Sequence, residues 1–172
     1  MSDPNQRSAL IQCRIDEGDY EGALLLYDGN SRMAVLWDWL VEGEIEVEDL
    51  RALLPLAWTH AEAPSALPDL ALELFRHAGF VSDTDVELSG LLTVYRGAAP
   101  GEPKEQVGIS WTLSYTRAEW FARRLVRGGG GKVFVAQVQA VDVLAYFVKR
   151  DEAEVVVDPA TLGGVEELPA AR

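Results

Sequence analysis

One cysteine, two histidines and two methionines stand among 172 residues. The lone Cys13 excludes an internal disulfide and suits a reducing compartment. It falls in a helical stretch, where packing is its expected role. His60 and His77 are the only histidines, and no set of Cys and His stands at ligand spacing, so no metal site is expected. No apolar run approaches the ~20 residues that span a membrane. The opening Met1-Ser2-Asp3-Pro4-Asn5-Gln6-Arg7 lacks the basic and apolar regions of a secretory signal. The expectation is a cytoplasmic protein without a membrane partner. Internal repeats are absent.

Positive charge is scarce and unevenly placed. Against 28 Asp and Glu there are 15 Lys and Arg, a net of −13. Residues 1–90 carry 5 basic and 18 acidic groups, residues 91–150 carry 9 and 4, and residues 151–172 carry 1 and 6. A chain this acidic repels nucleic acid as a whole, yet its middle segment is basic, as a site for an anionic ligand requires. Arg96, Arg117, Arg123, Arg124, Arg127, Lys132, Lys149 and Arg150 supply that charge. The acidic first half is a candidate docking surface for a partner.

Apolar spacing predicts helices near 5–27, 31–42, 47–61 and 67–79, with Asp28-Gly29-Asn30 separating the first two. Trp37, Trp39, Leu40, Leu53, Leu54, Leu56 and Trp58 are the expected core of this bundle. Ala63-Pro64-Ser65-Ala66-Leu67-Pro68 reads as a linker, Gly79 as a helix C-cap. Ser82-Asp83-Thr84-Asp85 then leads toward the first strand. From residue 91 the pattern turns to strands, at 91–97, 108–114, 132–139 and 142–148, with a helix over 116–127. Thr116 and Glu119 have the spacing of a capping box for that helix. Gly128-Gly129-Gly130-Gly131 follows the helix instead of opening one, so it is not a phosphate-binding loop. The tail from Thr161 is expected to be poorly ordered at its very end. The domains expected are a helical region, 1–88, and a strand-rich core, 89–172.

Three segments carry candidate chemistry. In Leu91-Leu92-Thr93-Val94-Tyr95-Arg96-Gly97 an apolar row ends in a guanidinium, a rigid fork of donors suited to phosphate or carboxylate. Gly97 permits close backbone approach or a positive φ. Gly108-Ile109-Ser110-Trp111-Thr112-Leu113-Ser114 reads as a strand bearing small hydroxyls. Asp151-Glu152-Ala153-Glu154-Val155-Val156-Val157 puts two carboxylates at the mouth of a β-branched run, with Lys149-Arg150-Asp151 as the turn delivering them. If both lie in the strand, Glu152 and Glu154 point the same way about 7 Å apart. Their repulsion is then about 2 kcal/mol at an effective dielectric near 20. Such a pair suits a cationic centre.

Taken in order, these segments resemble the Arg–Ser–Glu branch of the mono-ADP-ribosyltransferase superfamily. The resemblance lies in Arg96 of Tyr95-Arg96-Gly97, Ser110 of Ser110-Trp111-Thr112 and Glu154 of Glu152-Ala153-Glu154, and covers roughly residues 91–160. Trp111 stands where the family's middle motif usually has Thr. The resemblance implies an α+β fold, with the N-terminal helices followed by a compact β-sandwich core bearing one prominent helix. It implies NAD as co-substrate and a macromolecular acceptor, protein arginine ahead of nucleic acid, in a toxin or phage effector. Catalytic roles fall to Glu154, Glu152 and Ser110, with Ser110 orienting Glu154 by a hydrogen bond. NAD is assigned to Arg96, Gly97, Ser110 and Thr112, with Tyr115 or Trp120, and less so Trp111, covering the nicotinamide. An NAD glycohydrolase and a non-catalytic acidic interaction or decoy protein are the alternatives.

Overall fold

The computed structural model describes residues 4–60, 67–124 and 131–169. The chain divides into two compact units, Met1–Gly79 and Phe80–Arg172. This boundary lies upstream of the expected one, because a short strand at Val81–Ser82 pairs into the sheet of the second unit.

The first unit is helical. The single helix expected over 5–27 is two, α1 (Pro4–Asp16) and α2 (Tyr20–Leu25), because Gly18 between them takes a φ of 74°. Asp19 caps α2, accepting the Gly22 N–H at 2.9 Å and pairing with Arg14. The Gly22 N–H, and then Arg14, hold its carboxyl below the usual range. After a 3-10 turn at Gly29–Ser31 come α3 (Arg32–Glu42), α4 (Val47–Thr59) and α5 (Pro68–Ala78), which ends at Gly79 with a φ of 70°. Trp39, Leu53, Leu54 and Trp58 are buried as expected, with Trp58 edge-on to Phe75 at 5.2 Å. Trp37, Leu40 and Leu56 are half-buried. Cys13 is exposed, contrary to the packing role expected of it: it sits on the solvent side of α1, with Sγ 3.6 Å from Glu17 Oε1. Residues 63–66 of the expected linker lie outside the described residues. Among the described residues, no helix is long and apolar enough to cross a membrane.

The second unit is a mixed sheet with one main helix. Its elements are β1 (Val81–Ser82), β2 (Leu91–Ala98), β3 (Ser110–Thr112), α6 (Tyr115–Arg124), β4 (Lys132–Gln139), β5 (Val143–Phe147), β6 (Glu154–Val157) and β7 (Gly163–Pro169). The order is β1-β5-β6-β3-β2-β4-β7, antiparallel except for β1 beside β5. The α+β class stands, with the seven strands in one hydrogen-bonded sheet that is not closed into a barrel. One residue pair, Tyr95 opposite Thr112, joins β2 to β3 and so links the two halves. Both halves feed one apolar cluster, Val94, Ala98, Phe134, Ala136 and Val138 from one and Trp111, Tyr146, Val155 and Val157 from the other. Burying a single such valine contributes about 1.5–3 kcal/mol. The tail from Thr161 contributes β7, an edge strand along β4, and its very end, residues 170–172, lies outside the described residues.

Helix α6 packs on the face opposite that cluster, through Tyr115, Ala118 and Ala122 against Val133 and Tyr95. Its cap is Ser114, not Thr116: Ser114 Oγ accepts the Arg117 N–H at 3.3 Å, and its carbonyl accepts the Ala118 N–H at 3.0 Å. Residues 125–127 of the expected helix, including Leu125 and Arg127, and glycines 128–130 lie outside the described residues.

Candidate active site

Strands β3 and β6 place the central pair. In their antiparallel register Ser110 faces Val156 and Thr112 faces Glu154, so all four side chains share one side of the sheet. Ser110 and Glu154 are diagonal neighbours, within reach of a hydroxyl and a long carboxylate. The Ser110 hydroxyl donates to Glu154 Oε1 at 2.6 Å, the hydrogen bond anticipated between them. Glu154 is only 7% exposed, which makes it one of the few buried charged side chains among the described residues. A carboxylate buried this far needs fixed partners, and the strand pairing and Ser110 provide them. Because Tyr95 lies opposite Thr112, this is also the face that α6 covers. Trp111 and Val155 alternate to the other face and enter the apolar cluster. Trp111 is buried, with Nε1 donating to the Gly108 carbonyl at 2.9 Å, so it is core and not a ring for nicotinamide.

Glu152 does not share the strand geometry of Glu154. Strand β6 begins at Glu154, and the residues flanking Glu152 are left-handed, Asp151 with φ 56° and Ala153 with φ 42°. Side-chain alternation therefore does not relate the two glutamates, and the expected same-face pair at strand spacing is not formed. Glu152 sits instead on a turn over 148–153, with Oε1 accepting from Arg150 Nη2 at 3.2 Å. That turn is held from several sides. Thr112 Oγ1 donates to the Glu152 carbonyl, and the Leu113 N–H to the Ala153 carbonyl at 3.0 Å. The Asp83 carboxylate accepts the N–H groups of Val148 and Lys149 at 2.8 and 3.1 Å. Arg117 reaches across from α6 to the Asp151 carbonyl and carboxylate.

Arg96 meets Ser110 from the other side of the sheet. By alternation it shares the face of Val94 and Ala98, and its side chain is 22% exposed. Nη1 donates to the Ser110 carbonyl at 2.9 Å, and Nη2 lies 3.4 Å from Glu102 Oε1. Ile109 accepts from Val157 on the β6 side, so the next carbonyl, that of Ser110, points toward β2. The β2–β3 ladder has one pair only, and a guanidinium supplies the missing donor. Arg96 Nε is buried without a partner among the described residues.

Other expected site residues have structural duties. At Gly97 an added Cβ would collide with the Ala118 carbonyl and stand 2.6 Å from Ala122 N, so the missing side chain lets α6 lie close to β2. Thr112 is buried, and its hydroxyl also accepts the Ser114 N–H at 3.0 Å, so it ties the Glu152 turn to the start of α6. Tyr115 stands edge-on to Tyr95 at 5.6 Å within the α6 packing. Trp120 is 45% exposed, with the guanidinium carbons of Arg117 and Arg124 at 5.7 and 5.2 Å from its ring. It lines a groove of about 500 Å³ together with Ser114, Thr116, Arg117, Val148, Asp151 and Ala153. Ser110 and Glu154 are not among the lining residues.

The basic segment is partly neutralised. Arg96, Arg117, Arg123, Lys132 and Arg150 face Glu102, Asp151, Glu119, Glu167 and Glu152. The roles of Asp83, Glu102 and Ser114, and the reach of Arg117 to Asp151, were not apparent from spacing, since most act across long stretches of chain. Among the described residues no group of three or more His, Cys, Asp or Glu could hold a metal ion. No protein-family model matches this chain, and neither does any curated protein or solved structure.

Proposed function

We propose that this chain is a mono-ADP-ribosyltransferase, passing ADP-ribose from NAD to a nucleophile on a macromolecule. The observation that carries the reading is the bonded series Arg96–Ser110–Glu154, joined through the Ser110 carbonyl at 2.9 Å and its hydroxyl at 2.6 Å. Three residues from separate segments meet in the order that the resemblance requires.

The donors and acceptors present fit a dinucleotide in kind. Arg96 keeps a buried Nε without a partner among the described residues, a donor suited to ribose or phosphate oxygen. Glu154 is the fixed negative charge. As the bond between ribose and the nicotinamide nitrogen breaks, nicotinamide leaves with the electron pair and positive charge grows on the sugar. A preorganised carboxylate stabilises that charge most in the transition state. Ser110 holds Glu154 in orientation. The acceptor's lone pair forms the new bond and its proton is released, with Glu152 as the group that engages it. Glu152 already takes a guanidinium, that of Arg150, which supports an arginine acceptor over nucleic acid.

The test is transfer of label from adenine-labelled NAD in a bacterial lysate, reading protein and nucleic-acid fractions separately, with Glu154→Gln as control. Label in one fraction, lost in the variant, supports transfer and identifies the acceptor class. NAD consumed without label in either fraction makes water the acceptor, as in a glycohydrolase. NAD left intact removes the enzyme reading and leaves an acidic interaction protein.

A further inference from the structure

We infer that Arg117 is a positioning residue that sets the acceptor side of the site, an inference that rests on the transferase reading above. The two glutamates are held by different means. Glu154 lies in β6, paired to Thr112 on one side and Phe147 on the other, and is oriented by Ser110. Glu152 has no strand partner and depends on the turn over 148–153. From the first turn of α6, Arg117 donates through Nε at 3.0 Å and through Nη2 to the Asp151 carbonyl, and through Nη2 to Asp151 Oδ2 at 2.9 Å. Two of these three bonds go to the main chain of a residue with φ 56°. A left-handed Asp flanking Glu152 is strained and persists only where its surroundings fix it. The Arg117 side chain is 26% exposed as a whole, whereas the Asp151 side chain it meets is fully exposed. The two carbonyl contacts reach the main chain of the turn itself, and they are the ones that set it.

Arg117 consequently acts on Glu152 and leaves Glu154 in place. Its fork spans the Asp151 carbonyl with two N–H groups, a geometry the single ammonium of lysine cannot reproduce. A shift of about 1 Å in a reacting group can lower a rate by up to a hundredfold. The same two residues, Arg117 and Asp151, line the groove beside Trp120.

The experiment compares the full chain with Arg117→Ala, Arg117→Lys and Asp151→Ala. Hydrogen exchange of the amides over 149–153 reads the clamp without any activity. Labelled NAD, with polyarginine as the acceptor probe, then gives KM for NAD and kcat/KM for that acceptor. Both Arg117 variants are expected to accelerate exchange in the turn and to lower kcat/KM for the acceptor about tenfold, with KM for NAD within twofold. Asp151→Ala keeps the carbonyl contacts and is expected to match the parent in both. Unchanged exchange in the Arg117 variants overturns the clamp whatever the activity does. Equal loss toward NAD and acceptor, or loss in Asp151→Ala as large as in Arg117→Ala, overturns the selective role. No NAD turnover by the parent chain, with exchange still accelerated, removes the transferase reading and leaves Arg117 a structural clamp.

Discussion

Arg96 and Ser110 are joined side chain to main chain: Arg96 Nη1 donates to the Ser110 carbonyl at 2.9 Å, where strand pairing between β2 and β3 has run out. The residue that holds Glu154 by its hydroxyl is thus itself held by its carbonyl. Arg96→Lys keeps the charge but cannot serve Ser110 and Glu102 together. It is expected to lower transfer about tenfold or more, the scale of one misplaced group, while changing stability by about 1 kcal/mol. NAD turnover and urea unfolding of the same preparation check the two effects.

Glu154→Gln should reduce NAD turnover on the order of a hundredfold or more, by loss of one preorganised electrostatic group. Ser110→Ala should cost less, because Glu154 keeps its strand position. The two changes should not add, since the side chains share a 2.6 Å hydrogen bond. A double-mutant cycle on kcat measures the coupling. Strict additivity would mean that Ser110 does not act through Glu154.

Gly97→Ala should destabilise the second unit by about 1–3 kcal/mol, because the new methyl meets α6 backbone instead of a movable side-chain end. Chemical denaturation checks this. A variant as stable as the parent would place α6 farther from β2 than described.

Cys13 is exposed, and Glu17 raises its thiol pKa, first through its charge and then through the hydrogen bond to Sγ. A raised pKa leaves less thiolate at any pH below it. Alkylation by iodoacetamide near neutral pH should therefore be slower than for an unperturbed cysteine. Glu17→Gln should accelerate it and move the rate profile to lower pH. Equal rates in parent and variant would show that Glu17 does not set the reactivity.

Arg96, Ser110 and Glu154 were legible because each marks a short β-prone run, and alternation within such runs fixes which neighbours share a face. The helical first half and α6 were legible from apolar spacing. Glu152 was misread for the same reason that Glu154 was found: alternation was extended across a turn whose left-handed Asp151 and Ala153 break it. Gly97 could be read as a close approach, but what approaches it depends on where α6 lies. Strand β7 was missed because Gly163-Gly164-Val165-Glu166-Glu167 has little β propensity; pairing along β4 makes it a strand. The Arg117–Asp151 contact joins residues 34 apart, beyond any local pattern.

The one-pair junction between β2 and β3 has a mechanical consequence. Eight residue pairs tie β2 to β4, whereas Tyr95–Thr112, reinforced by Arg96, ties β2 to β3. A force drawing the two halves of the sheet apart meets its weakest resistance along this line. Arg96 stands on one bank, and Ser110 and Glu154 stand on the other. The candidate chemistry is thus set along the seam where the sheet is most thinly paired.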